Sequence, residues 1–537
     1  MVSVDLDMKK IHWINVMVRS GLLLFLFFVG ARLSAATYYV STAGNNSNPG
    51  SQSLPWLTIQ HAASTVAAGD IVNITNGVYA ENVTLATSGT TNSRIQFNGP
   101  GAPTSFTVNG SYVTLNSMTF SNPCPSQLVV LNGSYGLVTG CEFCTPYSGT
   151  RGQTGIYMQG NYCTVTNCDW SSVACDGQGV VTAFQIGALV VNNRMHDLED
   201  PDAWIFVWGT NVVIRGNVMT NVQNDGYNSQ QVHADFIQTF APSSSYVLTN
   251  VLVEGNTIIN CSVQCFMLDS CGVTLGVCGY MGGMTIRNNL FINSLQSGFI
   301  DLPYVSVYNN TFFNWGYANH WAFCVCPAHS VWGPGDHCRI YNNVFRSDGT
   351  TSGSYITNNY GPAVDCLADY DYVPSSVGET HGIVGGTPGF VSEGTALQQW
   401  TNGVYWNTGT YFHLLTNSIL RGVGTNLTLF FTTDFGGNTR RSSGAWDIGA
   451  YVYGSVSTNQ FDLLAWSVWP VAPLTVQTKG SASGTNNFSF NFGDGSSSNG
   501  ASTIHTYATQ GTYTVTVTVT NTSGQVKVDS KSIIVTQ

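Results

Sequence analysis

Between residues 113 and 345 the apolar positions fall into columns that recur down the chain. An apolar residue is followed three places on by Asn, Cys or Met, and two places further by a large apolar residue. The first column is Leu115, Val138, Val165, Val190, Ile214, Val253, Ile286, Val307 and Ile340. The second is Met118, Cys141, Cys168, Asn193, Asn217, Asn256, Asn289, Asn310 and Asn343. The third is Phe120, Phe143, Trp170, Met195, Met219, Ile258, Phe291, Phe312 and Phe345. Each phrase is too short for a helix and rich in β-branched residues, so it predicts a strand. Successive phrases lie 21 to 39 residues apart, the period of a solenoid. Stacked coils place equivalent residues about 4.8 Å apart. The Asn column then becomes a ladder of amides bonding one another up the stack, and the apolar columns become a core that no single coil buries alone.

The flanks break this pattern. Before the repeat, Tyr38-Tyr39-Val40 predicts a strand and Ala43 to Ser53 a turn-rich stretch. Pro55 to Ala63 opens a short amphipathic helix, placed to cover the open end of the apolar columns as solenoid caps do. Residues 1–36 predict a secretory signal peptide, with an uncleaved N-terminal membrane anchor as the alternative: Lys9 and Lys10, an apolar run from Ile14 to Val29, then Ser34-Ala35-Ala36. Residues 37–454 read as the solenoid with its cap and closing segment, and 455–473 as a linker. From 474 to 537 period-two strands return in Phe488–Phe492 and Thr512–Val519, with Gly493-Asp494-Gly495 as a turn between them.

Composition narrows the class. The formal net charge is −11, from 17 Lys plus Arg against 28 Asp plus Glu, and charged residues make up only 8%. No basic patch points to nucleic acid, and no apolar span follows residue 36. Lys is confined to Lys9, Lys10, Lys479, Lys527 and Lys531. The picture is an exported β protein, secreted or held at a cell surface, with no membrane span in the mature chain and a monomer expected. All fourteen Cys lie between Cys124 and Cys366, an even count that suggests disulfides in an exported chain. Cys141 and Cys168 share one column on adjacent coils at a spacing that suits a disulfide. Cys261, Cys265, Cys271 and Cys278 fall in one insertion. Cys324 and Cys326 with His320, His329 and His337 offer zinc-type ligands, at spacings that match no standard zinc pattern.

Chemistry is expected where the coils lengthen. The intervals Asn217–Asn256, Asn256–Asn289 and Asn310–Asn343 each carry ten or more extra residues, and insertions on one face of a solenoid wall a binding groove. A groove several coils long suits an extended polymer. Asp202-Ala203-Trp204-Ile205 aligns with Asp235-Phe236-Ile237-Gln238, with Asp176 before and Asp269 after, so Asp202 and Asp235 are expected as neighbours. Asp200, Asp202, His233 and Asp235 are the candidate catalytic residues: close carboxylates separate into acid and base or nucleophile, and His suits proton transfer. Asp176, Asp202, Asp235 and Asp269 are an alternative calcium set; no cofactor is otherwise implied. Arg151 and Arg194 are candidates to meet an acidic sugar, and Trp204, Trp208, Tyr227, Trp315 and Trp321 to stack on sugar rings. Arg215, Glu254 and Arg287 read as an outward charge ladder.

Three sets of residues carry resemblances. The opening run Tyr38-Tyr39-Val40-Ser41, Asn48-Pro49-Gly50, Pro55-Trp56 with Thr58-Ile59-Gln60, Gly69-Asp70 and Gly77 with Tyr79 resembles the start of bacterial secreted right-handed parallel β-helix proteins, the pectate-lyase-like superfamily. Gly386–Val391, Tyr411–Leu414 and Ala445–Tyr451 are similar to their closing segment. The resemblance spans about residues 37–454 and implies an all-β fold, a right-handed parallel β-helix. It leaves the activity open among lyases, hydrolases, epimerases, tailspikes and adhesins. His233-Ala234-Asp235-Phe236-Ile237-Gln238 resembles a phrase of carbohydrate-active β-helices, which adds Gln238 to the binding candidates. The polygalacturonase motifs are missing, and with no Lys in the repeat a Lys-based lyase mechanism is not expected. Phe492–Gly495, His505 with Tyr507, and Gly511, Tyr513 and Val515 resemble the PKD domain, an immunoglobulin-like β-sandwich that spaces or binds. The expectation is an exported protein that binds and cleaves a polysaccharide or cell-surface glycan in a groove on the β-helix, by hydrolase or lyase chemistry. The rival is a non-catalytic adhesion or structural β-helix.

Overall fold

The computed structural model describes residues 35–120, 127–144, 155–171, 180–183, 185–199, 203–223, 235–239, 247–261, 264–269, 281–292, 296–315, 323–325, 336–347, 356–357, 365–373, 378–391, 412–454, 463–472, 474–482, 486–521, 524 and 526–535. Three long sheets of 13, 11 and 11 strands run through residues 37–384. All their strand pairs are parallel, each strand bonding to its equivalent one coil away. Each coil gives a strand to the first sheet, turns sharply into the second, crosses to the third and returns.

The register follows the sequence columns. In the first sheet Val138, Val165, Val190, Ile214, Val253, Ile286, Val307 and Ile340 pair in succession. In the second, Phe120, Phe143, Trp170, Met195, Met219, Ile258, Phe291, Phe312 and Phe345 do the same. Phe120, Phe143 and Trp170 stack with centroids 5.0 and 4.6 Å apart, and Phe291, Phe312 and Phe345 at 4.6 and 5.0 Å. Both columns belong to one continuous buried core.

The Asn column forms the expected ladder. Nδ2 of Asn193, Asn217, Asn256, Asn289 and Asn310 each donates to Oδ1 of the next Asn at 2.9–3.1 Å. Each of these amides also donates to the carbonyl of the first apolar residue one coil back. The ladder ends on Asp371, whose Oδ1 accepts from Asn343 Nδ2 at 3.0 Å. Burial, then the nearby Glu379, holds the Asp371 carboxyl well above the usual carboxylate range. The residue before each rung has positive φ: Asn192, Gly216, Gly255, Asn288, Asn309 and Asn342. Only Gly and Asn occupy this left-handed position readily, which makes the sharp turn legible in sequence.

Cys141 and Cys168 occupy this column as thiols, not as the expected disulfide. The Cys168 thiol donates to Val138 O at 3.7 Å and Thr166 O at 3.3 Å. Asn289 Nδ2 donates to the equivalent carbonyls of Val253 and Arg287. The thiol therefore fills the donor role of the amide.

The cap is a helix, Ile59–Thr65, with Ile59, Ala62 and Ala63 buried. Thr58 Oγ1 accepts from His61 N, and the Glu81 carboxylate accepts from the N–H groups of Ile59 and Gln60 at 3.1 and 2.9 Å. These bonds satisfy donors that a helix start otherwise leaves bare.

The closing segment packs along the flank. Phe390, Phe412, Leu414, Leu420, Ile448, Ala450 and Tyr451 form one cluster with Ile259, Leu290, Ile292, Phe313, Val344 and Tyr372 of the second sheet. Buried Arg440 fixes it: Nη2 donates to Asn288 Oδ1, Gly449 O and Ala450 O at 3.0–3.1 Å.

The described residues from 463 to 535 form a separate antiparallel unit of three- and four-stranded sheets around Phe490, Tyr507, Val515, Val517 and Val519. The expected linker over 455–473 is corrected here: Leu463–Ala472 is a strand paired with Thr475–Ala482. The apolar residues of Leu463–Trp469 favour a strand and outweigh the two prolines at 470 and 473 as a boundary signal.

Candidate functional site

The third sheet separates itself from the other two. Its strands enter from the second sheet and leave toward the first, and the long extra segments fall on both sides of it. Residues 224–234 and 316–322 precede its strands, and 240–247, 270–283 and 326–338 follow them. The sequence places the insertions at a single phase of the coil; the structure divides them between the two edges of this one sheet.

Alternation along these strands separates inside from outside. Ile205, Ile237 and Phe266 pair inward, as do Leu268 and Ile300. Between them a second column faces out: Tyr157, Thr182, Phe206, Gln238 and Met267 are consecutive register partners. One step past the inward Leu268 and Ile300 come Asp269 and Asp301, register partners on adjacent coils. Alternation turns both away from the core, at about one strand spacing from each other.

This pair is the focus of the site. Asp269 is 2% exposed and Asp301 3%. Burial, then the Asp301 charge, pushes the Asp269 carboxyl well above the ordinary carboxylate range. Asp269 Oδ2 is buried without a hydrogen-bond partner. The Asp269 backbone carbonyl accepts from Thr239 Oγ1 at 2.7 Å, which ties the strand end to its neighbour. Gln238 stands on the same outward side, 8% exposed, with Oε1 unpartnered and Nε2 3.7 Å from Met267 Sδ. Burial beside a second carboxyl favours the neutral form of Asp269, which places an acid next to Asp301.

The sequence candidates distribute unevenly over this frame. Asp235 is fully buried at the start of strand Asp235–Thr239, but its register partner is Ala203. The expected Asp202–Asp235 pairing is therefore out by one residue, because the inward partners Ile205 and Ile237 set the register. Asp235 and Asp269 lie toward opposite ends of their strands, about 16 Å apart along the strand direction, so they do not join one calcium set. Arg194 lies on the second sheet, where Nη1 is 3.6 Å from Asp169 Oδ2, with His196 Nε2 3.2 Å from Asp169 Oδ1. It is off the groove. Trp204 and Trp208 belong to the core cluster at 0% and 7% exposure and offer no open ring face. Asp176, Asp200, Asp202, His233 and Arg151 lie outside the described residues, as do Tyr227 and Trp321. Arg215, Glu254 and Arg287 do form a charge ladder on the first sheet, at 3.4 and 3.0 Å.

Asp301 was not legible as a site residue. Leu268-Asp269 and Ile300-Asp301 share a two-residue phrase, but 32 residues of variable insertion separate them. Among the described residues no three His, Cys, Asp or Glu side chains come together as a metal site. Two carboxylates fall short of the six to eight oxygens that calcium takes, so no step is derived through a metal. His337, offered as a zinc ligand, instead lies 3.1 Å from Asp365 Oδ2 through Nδ1.

Two family models agree with this architecture. Residues 105–275 match the family model of the right handed beta helix region, and residues 470–536 that of the PKD domain. No curated protein matches the chain. Among solved structures, pectate lyase Pel9A is 17% identical, covering 78% of this chain and 97% of its own, at a TM-score of 0.42. XylC in complex with xylose is 13% identical over 78% of this chain and 98% of its own, at 0.45. The PKD1 domain of the Vibrio cholerae metalloprotease PrtV is 27% identical over 14% of this chain and 94% of its own, at 0.13.

Proposed function

For a chain that is a right-handed parallel β-helix with a C-terminal PKD domain, we propose an exported protein that binds an extended polysaccharide along the outer face of the third sheet and cleaves it there. The observation that carries this reading is the Asp269–Asp301 pair: two buried carboxyls in register on adjacent coils, one of them pushed toward its protonated form. The neutral member acts as general acid on a bridging oxygen, and the charged member acts as base or nucleophile. Groups shifted in this way by burial and a like charge concentrate at catalytic sites. The outward column from Tyr157 to Met267 supplies a lane several coils long beside the pair. Asp235 opens its strand in the same sheet and, with Asp200, Asp202 and His233 close before these strands in the sequence, is assigned to holding substrate or sharing the proton transfers. The PKD domain acts as a spacer or binding module.

The test is incubation of the full chain with a polysaccharide panel, read by new reducing ends and by the ultraviolet absorbance of unsaturated uronates. Asp269→Asn and Asp301→Asn are each expected to lower turnover about 10²- to 10⁴-fold. Turnover that persists in both variants, and is lost in Asp235→Asn with His233→Ala, would move the chemistry to the entering edge. Binding with no product from any polysaccharide would favour a non-catalytic adhesion protein.

A further inference from the structure

The charge of the chain around the third sheet is lopsided. From Val218 to Asp336 the sequence holds one Arg, Arg287, and no Lys. This span covers the strands that carry Gln238, Asp269 and Asp301 and the segments entering and leaving them. Arg287 is committed elsewhere: it lies on the first sheet, with Nη2 on Glu254 Oε2 at 3.0 Å and Nη1 on Phe430 O at 3.0 Å. The next Arg residues, Arg215 and Arg339, are also on the first sheet, bonded to Glu254 and Asp365. The outward lane offers polar and aromatic groups instead, and two buried polar atoms on that side, Gln238 Oε1 and Asp269 Oδ2, have no partner.

From this we infer that the polysaccharide taken by the third sheet is a neutral one, built of sugars without carboxylate or sulfate, and that its cleavage is hydrolysis. The inference rests on the function proposed above and narrows it. A polyuronate brings one negative charge per sugar, and its recognition calls for Arg or Lys in bidentate or point-charge contact. Here, among the described residues, that charge meets acids and no Arg or Lys, and like charges brought together in a site with little water repel strongly. Elimination needs the uronate carboxylate neutralised as the α-proton leaves, and among the described residues this lane carries no Arg or Lys to do so. Neutral sugars present hydroxyls. Their O–H groups donate to Asp269 Oδ2 and Gln238 Oε1, which completes the bonds that burial leaves open. In the reaction one carboxyl donates its proton to the glycosidic oxygen, the bond from the anomeric carbon to that oxygen breaks, and water supplies the hydroxyl and returns a proton to the pair.

The experiment sets xylan, mannan, galactan and β-glucan against polygalacturonate and alginate. The full chain is assayed with added calcium and with chelator, by binding, reducing ends and unsaturated-uronate absorbance. The expected result is binding to at least one neutral glycan about tenfold or more tighter than to either polyuronate. That binding stays unchanged up to about 0.5 M salt, since no charge pair is screened. Reducing ends appear without absorbance. Stronger binding to a polyuronate, or absorbance gained on one in either ion condition, overturns the neutral-glycan assignment while leaving polysaccharide cleavage intact. Failure to bind any polysaccharide sinks both.

Discussion

Two stacks of polar side chains run through this molecule, built by the same one-residue-per-coil geometry, and they behave in opposite ways. In the Asn column every amide has both a donor and an acceptor, so stacking like on like satisfies each group; Asn256 alone takes part in bonds to Ile214 O, Asn217 and Asn289. In the Asp269–Asp301 pair the side chains are acceptors when charged, so burial first and like stacked on like second disfavour the charged form of Asp269. The difference teaches that a solenoid stabilises self-complementary groups and stores free energy in groups that are not. Such an imbalance marks the pair as a candidate site.

The comparison breaks most severely if a middle rung is removed. Asn256→Leu leaves the Asn217 N–H without its acceptor and cuts the ladder in two, at an expected cost of about 3 kcal/mol or more. It is read as a lower denaturant midpoint at unchanged slope. A smaller, opposite effect is expected from Asp269→Asn. The Asp269 pKa is raised in the folded chain, so its proton contributes stability that is fully present below the unfolded value of about 3.9. That contribution is lost as pH rises through the folded value. The Asn variant lacks this loss, and its thermal midpoint at neutral pH should equal or exceed that of the natural chain while turnover collapses. A variant destabilised at neutral pH but not in acid would mean that the ionised carboxylate is held by bonds. Asn193→Cys tests whether a thiol replaces an amide in the ladder, as at Cys168, and should cost only about 1 kcal/mol. Smallest is Arg215→Ala, which trims a charge stack open to water, with its side chain 53% exposed. It should shift stability by about 0.5 kcal/mol or less, and less still in high salt.

The fold was legible because its determinants are local and repeated. Each rung announces itself by an apolar residue, an Asn, Cys or Met three places on, and a large apolar residue two places further. The helix cap and the PKD strands followed from equally local patterns. The site was less legible, for two reasons. In the third sheet Trp204 and Ile205 are both buried, as are Phe236 and Ile237, so period two is blurred and the Asp202–Asp235 alignment slipped by one residue. Trp204 and Trp208 are core for the same reason. Asp301 lies beyond an insertion of unpredictable length, and only the stacked register brings it to Asp269. The strand Leu463–Ala472 was hidden by prolines that the pairing tolerates at an irregular step between Pro470 and Ala472.

The ladder also has a grammar of direction. Every amide from Asn193 onward sends one of its N–H groups toward the later coil, and the last of them meets Asp371, whose side chain has no amide and whose backbone N–H goes to Glu379 Oε2 at 3.0 Å. A carboxyl at that rung is a full stop for the amide ladder: it receives the final amide bond and offers no amide to continue it. Asparagine there would turn the terminus into an invitation, so the length of the coil stack is written into one side chain as well as into where the repeats cease.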